Sequence, residues 1–215
     1  MNDKKSPMYT LGEEIFNSVS HGVGVMLSIA ALVLLIVFSV IGGKQFGLSS
    51  ALVYGISLIL LYSMSMVYHI VPNERAKRVL RIFDHCSIFI LIAGTYTPYL
   101  LMCLNNPKRW IFFGLIWGVT VLGILMNSIN LQKFTKISMV CYIAMGWAII
   151  FTIGDIVSAV ELPGVILLVS GGVVYTLGII FYVMKKYRYM HSVWHLFVLG
   201  GSVCHYLSIL LFVIK

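Results

Sequence analysis

The chain has 215 residues, of which 60% are hydrophobic and only 10% charged. That usage lies outside the range of soluble globular domains and, with the apolar residues gathered in long runs, specifies an integral membrane protein. The formal charge of +8 is no argument for nucleic acid, because Lys and Arg of a membrane protein collect on one side of the bilayer.

The N-terminal stretch MNDKKSPMYTLGEEIFNSVSHG is polar, then acidic, and lacks the layout of a cleaved signal peptide. Seven runs follow that approach the roughly 20 apolar residues a helix needs to cross the hydrocarbon. They are Val23 to Ile41, Leu48 to Ile70, Cys86 to Leu104, Trp110 to Met126, Ile137 to Ile153, Leu162 to Met184 and Ser192 to Ile214. Short connections between them predict one all-α domain over residues 1–215, a seven-transmembrane-helix bundle with a polar segment at about 1–20. The alternating pattern of a membrane barrel is absent. Cys86, Cys103, Cys141 and Cys204 all fall within the runs and form no CxxC pair, which suits packing rather than disulfides.

Basic residues sort by connection. Lys4, Lys5, Arg75, Lys77, Arg78, Arg81, Lys133, Lys136, Lys185, Lys186 and Arg188 share one face, against Lys44, Lys108, Arg109 and Lys215 on the other. The positive-inside rule then sets the N-terminus in the cytoplasm and the C-terminus outside.

That topology decides which polar groups can meet. The second run ends in YSMSMVYHIVPNERAKR, placing Ser65 and His69 one turn apart near the cytoplasmic side. The third returns from that side with Asp84, and the seventh starts there with His191 and His195 in HSVWH. Glu14, Asn17 and His21 of the first run reach the same level. An ionisable group at membrane depth is costly and is by default a functional candidate.

Histidines at i and i+4 project from one helix face about 6 Å apart, which suits two bonds to one metal ion. His69 is the natural third ligand; three imidazoles leave one tetrahedral position open, the pattern of a catalytic zinc site. Asp84 is then placed to act as general base and Ser65 to hold a water or a carbonyl. Imidazoles also accept iron, cobalt or nickel. The pair alone suits interfacial histidines bonded to carbonyls or headgroups equally well. Glu14, Asn17 and His21 fit either a second polar layer or ordinary capping at a helix entry. His205 lies roughly 15 Å beyond His195 along the axis, so it is expected to bond another helix, and His85 is expected to turn away from Asp84. Pro98 is expected to kink the third helix, with Thr95 and Thr97 serving the freed carbonyls.

These elements together carry a resemblance. EEIFNSVSHGVG, SMSMVYH with its following aspartate, and HSVWH resemble, in order, the motifs of the progestin and adipoQ receptor superfamily, and the whole is most similar to its bacterial, hemolysin III-like branch. The resemblance implies seven helices, a cytoplasmic N-terminus, and zinc held by His69, His191 and His195 with Asp84 and Ser65 beside it. It also implies a ceramidase-like hydrolysis of lipid amides, as proposed for the receptor relatives, with membrane lipids as partners. Without the long N-terminal region of those relatives, a hormone-receptor role is not expected. Two other functions compete: a non-enzymatic sensor or regulator of membrane state, or a cytolysin, with structural zinc; and, less favoured, a transporter, for which the polar groups lie at one face instead of the midplane.

Overall fold

The computed structural model describes residues 9–184 and 186–215. Lys4, Lys5 and Lys185, counted above for topology, lie outside the described residues. Among these, every regular element is helical: α1 (Leu11–Gly42), α2 (Gly47–Ile70), α3 (Glu74–Cys103), α4 (Lys108–Trp147), α5 (Ile153–Ala159), α6 (Leu162–Val183) and α7 (Met190–Ile209). A 3-10 turn joins α4 to α5, and a π-helical turn extends α7 to Ile214.

Local chemistry sets the ends. Thr10 caps α1 in a reciprocal box, its hydroxyl accepting from the Glu13 N–H while the Glu13 carboxylate accepts from the Thr10 N–H. Gly43 ends α1 in the left-handed region at φ 59°. The Asn73 side chain accepts from the N–H groups of Arg75 and Ala76 to start α3.

Among the described residues, six helical stretches are long and apolar enough to cross a membrane, one of them continuous from Lys108 to Ala159. The loop expected between the fourth and fifth runs is thus reduced to one residue: Asn130 alone leaves helical geometry, at φ −159° and ψ 89°. Its side chain accepts from the Lys133 N–H and so restarts the helix. The chain turns back on itself there. Asn127 and Tyr142 would stand about 22 Å apart in a straight helix, yet the Asn127 amide lies 3.4 Å from the Tyr142 hydroxyl, and the Ser138 hydroxyl donates to Asn127 at 2.6 Å. Pairing with α3 agrees. Before the break Trp117 meets Thr97 and Thr120 meets Phe89; after it Tyr142 donates to the His85 carbonyl and Tyr96 to the Gly146 carbonyl. The first half therefore runs antiparallel to α3 and the second half parallel to it.

The core gathers around Tyr54, Phe89, Leu35, Leu100 and Ile209, while Val33, Ile41, Ile129 and Phe151 are exposed on the outside. An apolar exterior is what a hydrocarbon solvent selects. Glycines let α6 and α7 approach closely, as their small residues predict: a Cβ on Gly171 would lie 2.2 Å from the His205 ring, and one on Gly201 2.7 Å from Tyr175. α3 runs unbroken through Pro98. The hydroxyls of Thr95 and Thr97 bond the carbonyls of Leu91 and Ala93, not that of Gly94, whose partner Pro98 removes. The expected service to the freed carbonyl is therefore not what these hydroxyls provide.

Candidate metal centre

The end of the bundle holding the α2–α3 connection also holds the starts of α1 and α7, and there the side chains of His69, His191 and His195 converge. One ligand-type nitrogen from each lies within 4.8 Å of the others. His69 comes from the last turn of α2, and His191 and His195 from the first two turns of α7, whose start is tied to α1 by the Tyr189 N–H donating to Glu13 at 2.7 Å.

The partners of two of these rings, His69 and His195, fix their protons. A carboxylate can only accept, so the 2.6 Å contact of His69 Nδ1 with Glu14 Oε2 places the proton on Nδ1. His69 Nε2 then carries a lone pair, and that atom is buried with no hydrogen-bond partner. His195 repeats the arrangement: Nδ1 donates to the Asn17 carbonyl at 3.3 Å, with the Ser20 hydroxyl at the same distance, and Nε2 faces His191 Nε2 at 3.2 Å. Two nitrogens each 2.0–2.1 Å from a tetrahedral ion stand about 3.3 Å apart. The spacing of the α7 pair and the orphaned lone pair of His69 both fit a metal ion, and the outer hydrogen bonds are of the kind that hold metal-ligating histidines in register.

The three histidines could hold a metal. Glu14 is shared, its other oxygen accepting from the Lys77 ammonium. Asn17 also accepts from the Ser192 hydroxyl at 2.6 Å through its side chain, locking α1 to α7.

Ser65 and Asp84 are brought to the same place without joining the three. Both line a cavity of about 190 Å³ that also meets His21, His191 and His195 and continues between largely apolar walls, among them Ile88, Ile92, Leu168 and Val198. Ser65 is buried and Asp84 largely so. His85 keeps company with Asp84 after all: its Nδ1 donates to the Arg81 carbonyl at 2.9 Å and lies 3.5 Å from Asp84 Oδ2, because the ring folds back along its own helix. His205 behaves as expected for a helix-bonding residue, donating through Nε2 to the Leu168 carbonyl of α6 at 3.0 Å.

Of the two readings of Glu14, Asn17 and His21, the second polar layer fits Glu14 and Asn17, which bond His69 and His195, while His21 stacks on His195; capping falls to Thr10 and Glu13. Sequence reasoning missed Lys77 as a partner and Tyr9 altogether. Tyr9 stacks on His191 with ring centroids 4.9 Å apart and sets its edge to His69 at 5.5 Å. Burial holds its phenol well above the usual range, so it covers the cluster as a neutral group. A signal for the α1 set existed: residues 14, 17 and 21 fall on one helical face.

The model of the haemolysin-III related family matches residues 9–206. The chain is 39% identical to Hemolysin-3 of Bacillus cereus over 202 residues, 94% of this chain and 92% of that protein. It is 38% identical to the Hemolysin-3 homolog of Bacillus subtilis (strain 168) over 208 residues, 97% of this chain and 98% of the other. The human Monocyte to macrophage differentiation factor is 29% identical over 174 residues, covering 74% of this chain and 68% of that protein. No solved structure matches the chain.

Proposed function

The chain belongs to the haemolysin-III related family and is a multi-pass protein of the cell membrane, and from that premise we propose that it is a zinc-dependent hydrolase of lipid amides acting in membrane lipid homeostasis. The observation that carries this reading is the pairing of outer hydrogen bonds with inward nitrogens: Glu14 and Asn17 hold the Nδ1 protons of His69 and His195, so their Nε2 lone pairs are presented to one point.

In this reading the chain crosses the bilayer seven times as a single domain, the two halves of the Lys108–Ala159 stretch crossing separately. The N-terminus and the histidine cluster are cytoplasmic and the C-terminus is outside. His69, His191 and His195 hold the zinc, which when bound supplies a Lewis acid for polarising a carbonyl. Asp84, within the same cavity, takes the proton from the attacking water and returns it to the departing amine. Ser65 donates its hydroxyl to orient the water or the substrate carbonyl. The apolar walls receive the hydrocarbon chain, and products are a carboxylic acid and an amine.

The test is hydrolysis of N-acyl-sphingosine and related lipid amides by zinc-replete protein in nanodiscs, with the Asp84→Asn variant alongside. Release of fatty acid by the wild type and its loss in Asp84→Asn supports the reading. Retained metal without turnover of any lipid amide moves the protein to a membrane-state sensor or regulator with structural zinc. Lysis of lipid vesicles by the purified protein would instead favour a cytolysin.

A further inference from the structure

A further histidine, His21, packs directly against the three and has no task in the scheme above. His21 is 3% exposed. Neither of its ring nitrogens makes a well-formed hydrogen bond among the described residues, the His195 backbone lying close enough to act on the ring without the geometry of a bond. It stacks on His195 with centroids 3.6 Å apart and planes 14° from parallel, so its nitrogens are set above the His195 ring and not in the gathering of ligand atoms, which comprises only the other three.

The ring cannot turn away to find a partner. It also meets Tyr62 in a T-shaped contact, with ring centroids 5.0 Å apart. Tyr62 is itself fixed, its hydroxyl donating to Ser202 at 2.7 Å, and it reaches this position because residue 24 is glycine: a Cβ there would stand 2.5 Å from the Tyr62 ring. His21 is thus packed against two rings with its ring nitrogens short of well-formed hydrogen bonds, and it lines the same cavity as Ser65, Asp84, His191 and His195. Buried polar groups in folded proteins are nearly always partnered. An imidazole packed in this way on a cavity wall, without a well-formed bond, is placed to take a partner from what fills the cavity.

On the reading that the cavity takes a lipid amide, we infer that His21 is a ligand-binding residue: it hydrogen-bonds the polar head of the lipid and is separate from the metal-holding set. A neutral imidazole offers one N–H and one lone pair on opposite edges, so it suits a head carrying both an acceptor and a donor, such as a carbonyl beside a hydroxyl. A simple hydrocarbon or a fatty ester without a hydroxyl leaves one edge unmet.

The competing role is purely structural, with His21 only bracing His195 through the stack. Phenylalanine separates the two, since His21→Phe keeps a flat ring on His195 and removes both nitrogens. Zinc content and binding of a fluorescent N-palmitoyl-sphingosine are measured in nanodiscs for the zinc-loaded Asp84→Asn protein, which suppresses turnover, with and without His21→Phe or His21→Gln. The inference expects His21→Phe to keep its zinc and bind the lipid about tenfold more weakly, the equivalent of one or two lost hydrogen bonds. It expects His21→Gln, which restores a donor and an acceptor, to recover part of that loss. Unchanged lipid affinity in His21→Phe overturns it, whether water or nothing satisfies the ring in its place. So does loss of zinc from both variants, which marks His21 as a brace. If the parent protein holds zinc but ignores the probe, the lipid-amide reading fails and takes this inference with it, while the metal site stands.

Discussion

Glu14 gives the sharpest handle on the metal centre, because it touches no ion in the proposed site and acts only through His69. Its Oε2 accepts from His69 Nδ1 at 2.6 Å, a charge-assisted bond, while Oε1 accepts from Lys77. The His69 side chain is fully buried and that of Glu14 is 16% exposed, so water can replace little of what the carboxylate provides. Removing such an outer partner lowers metal affinity by about 10–100-fold, equivalent to about 1.4–2.7 kcal/mol. The two obvious substitutions divide that range. Glu14→Gln keeps an acceptor for the Nδ1 proton and loses the charge, and should fall near tenfold. Glu14→Ala strands both the imidazole N–H and the Lys77 ammonium, and should approach a hundredfold. The assay is competition for zinc against a chromophoric chelator, with the protein in nanodiscs. Wild-type affinity in Glu14→Ala would refute the reasoning, since it would mean that His69 holds no metal through Nε2 or that Glu14 does not orient it.

Other expectations follow from the same geometry. Asp84→Asn should keep bound zinc yet lose lipid-amide hydrolysis by about 10²–10⁴-fold, read as fatty acid released per bound zinc. Gly171→Val should lower thermal stability by about 1–3 kcal/mol, because its side chain would drive into the His205 ring and towards the Gly201 carbonyl; a thermal melt in detergent checks it. Asn127→Ala should cost about 1–3 kcal/mol by leaving the buried Ser138 hydroxyl without its acceptor at the reversal in α4, again seen in the melt.

How much of this was legible depended on range. The His191/His195 pair is a local pattern, four residues apart on one helix, and needs no tertiary knowledge. His69 was reachable because topology alone sets its depth. The reversal in α4 was harder to place: Asn127, Ser128, Asn130, Gln132, Lys133 and Lys136 make residues 127–136 polar enough to read as a loop, but hydropathy does not register that only Asn130 leaves the helix. Glu14 was ambiguous because adjacent acids at a helix start have two equivalent uses. The chain divides them, Glu13 closing the cap on Thr10 and Glu14 reaching across to α2, and only the helical phase of α1 against α2 tells which does which. Tyr9 carried no signal, since its contacts are made by rings from two other helices.

The most direct measurement is bound metal, by elemental analysis of detergent-purified, zinc-replete protein beside His195→Ala and His205→Ala. The structure separates these two histidines of one helix, one facing His191 across 3.2 Å and the other bonded to the Leu168 carbonyl. The proposed site predicts about one zinc per chain in the wild type, lost in His195→Ala and kept in His205→Ala. A wild type without metal, or zinc that persists in His195→Ala, would contradict it.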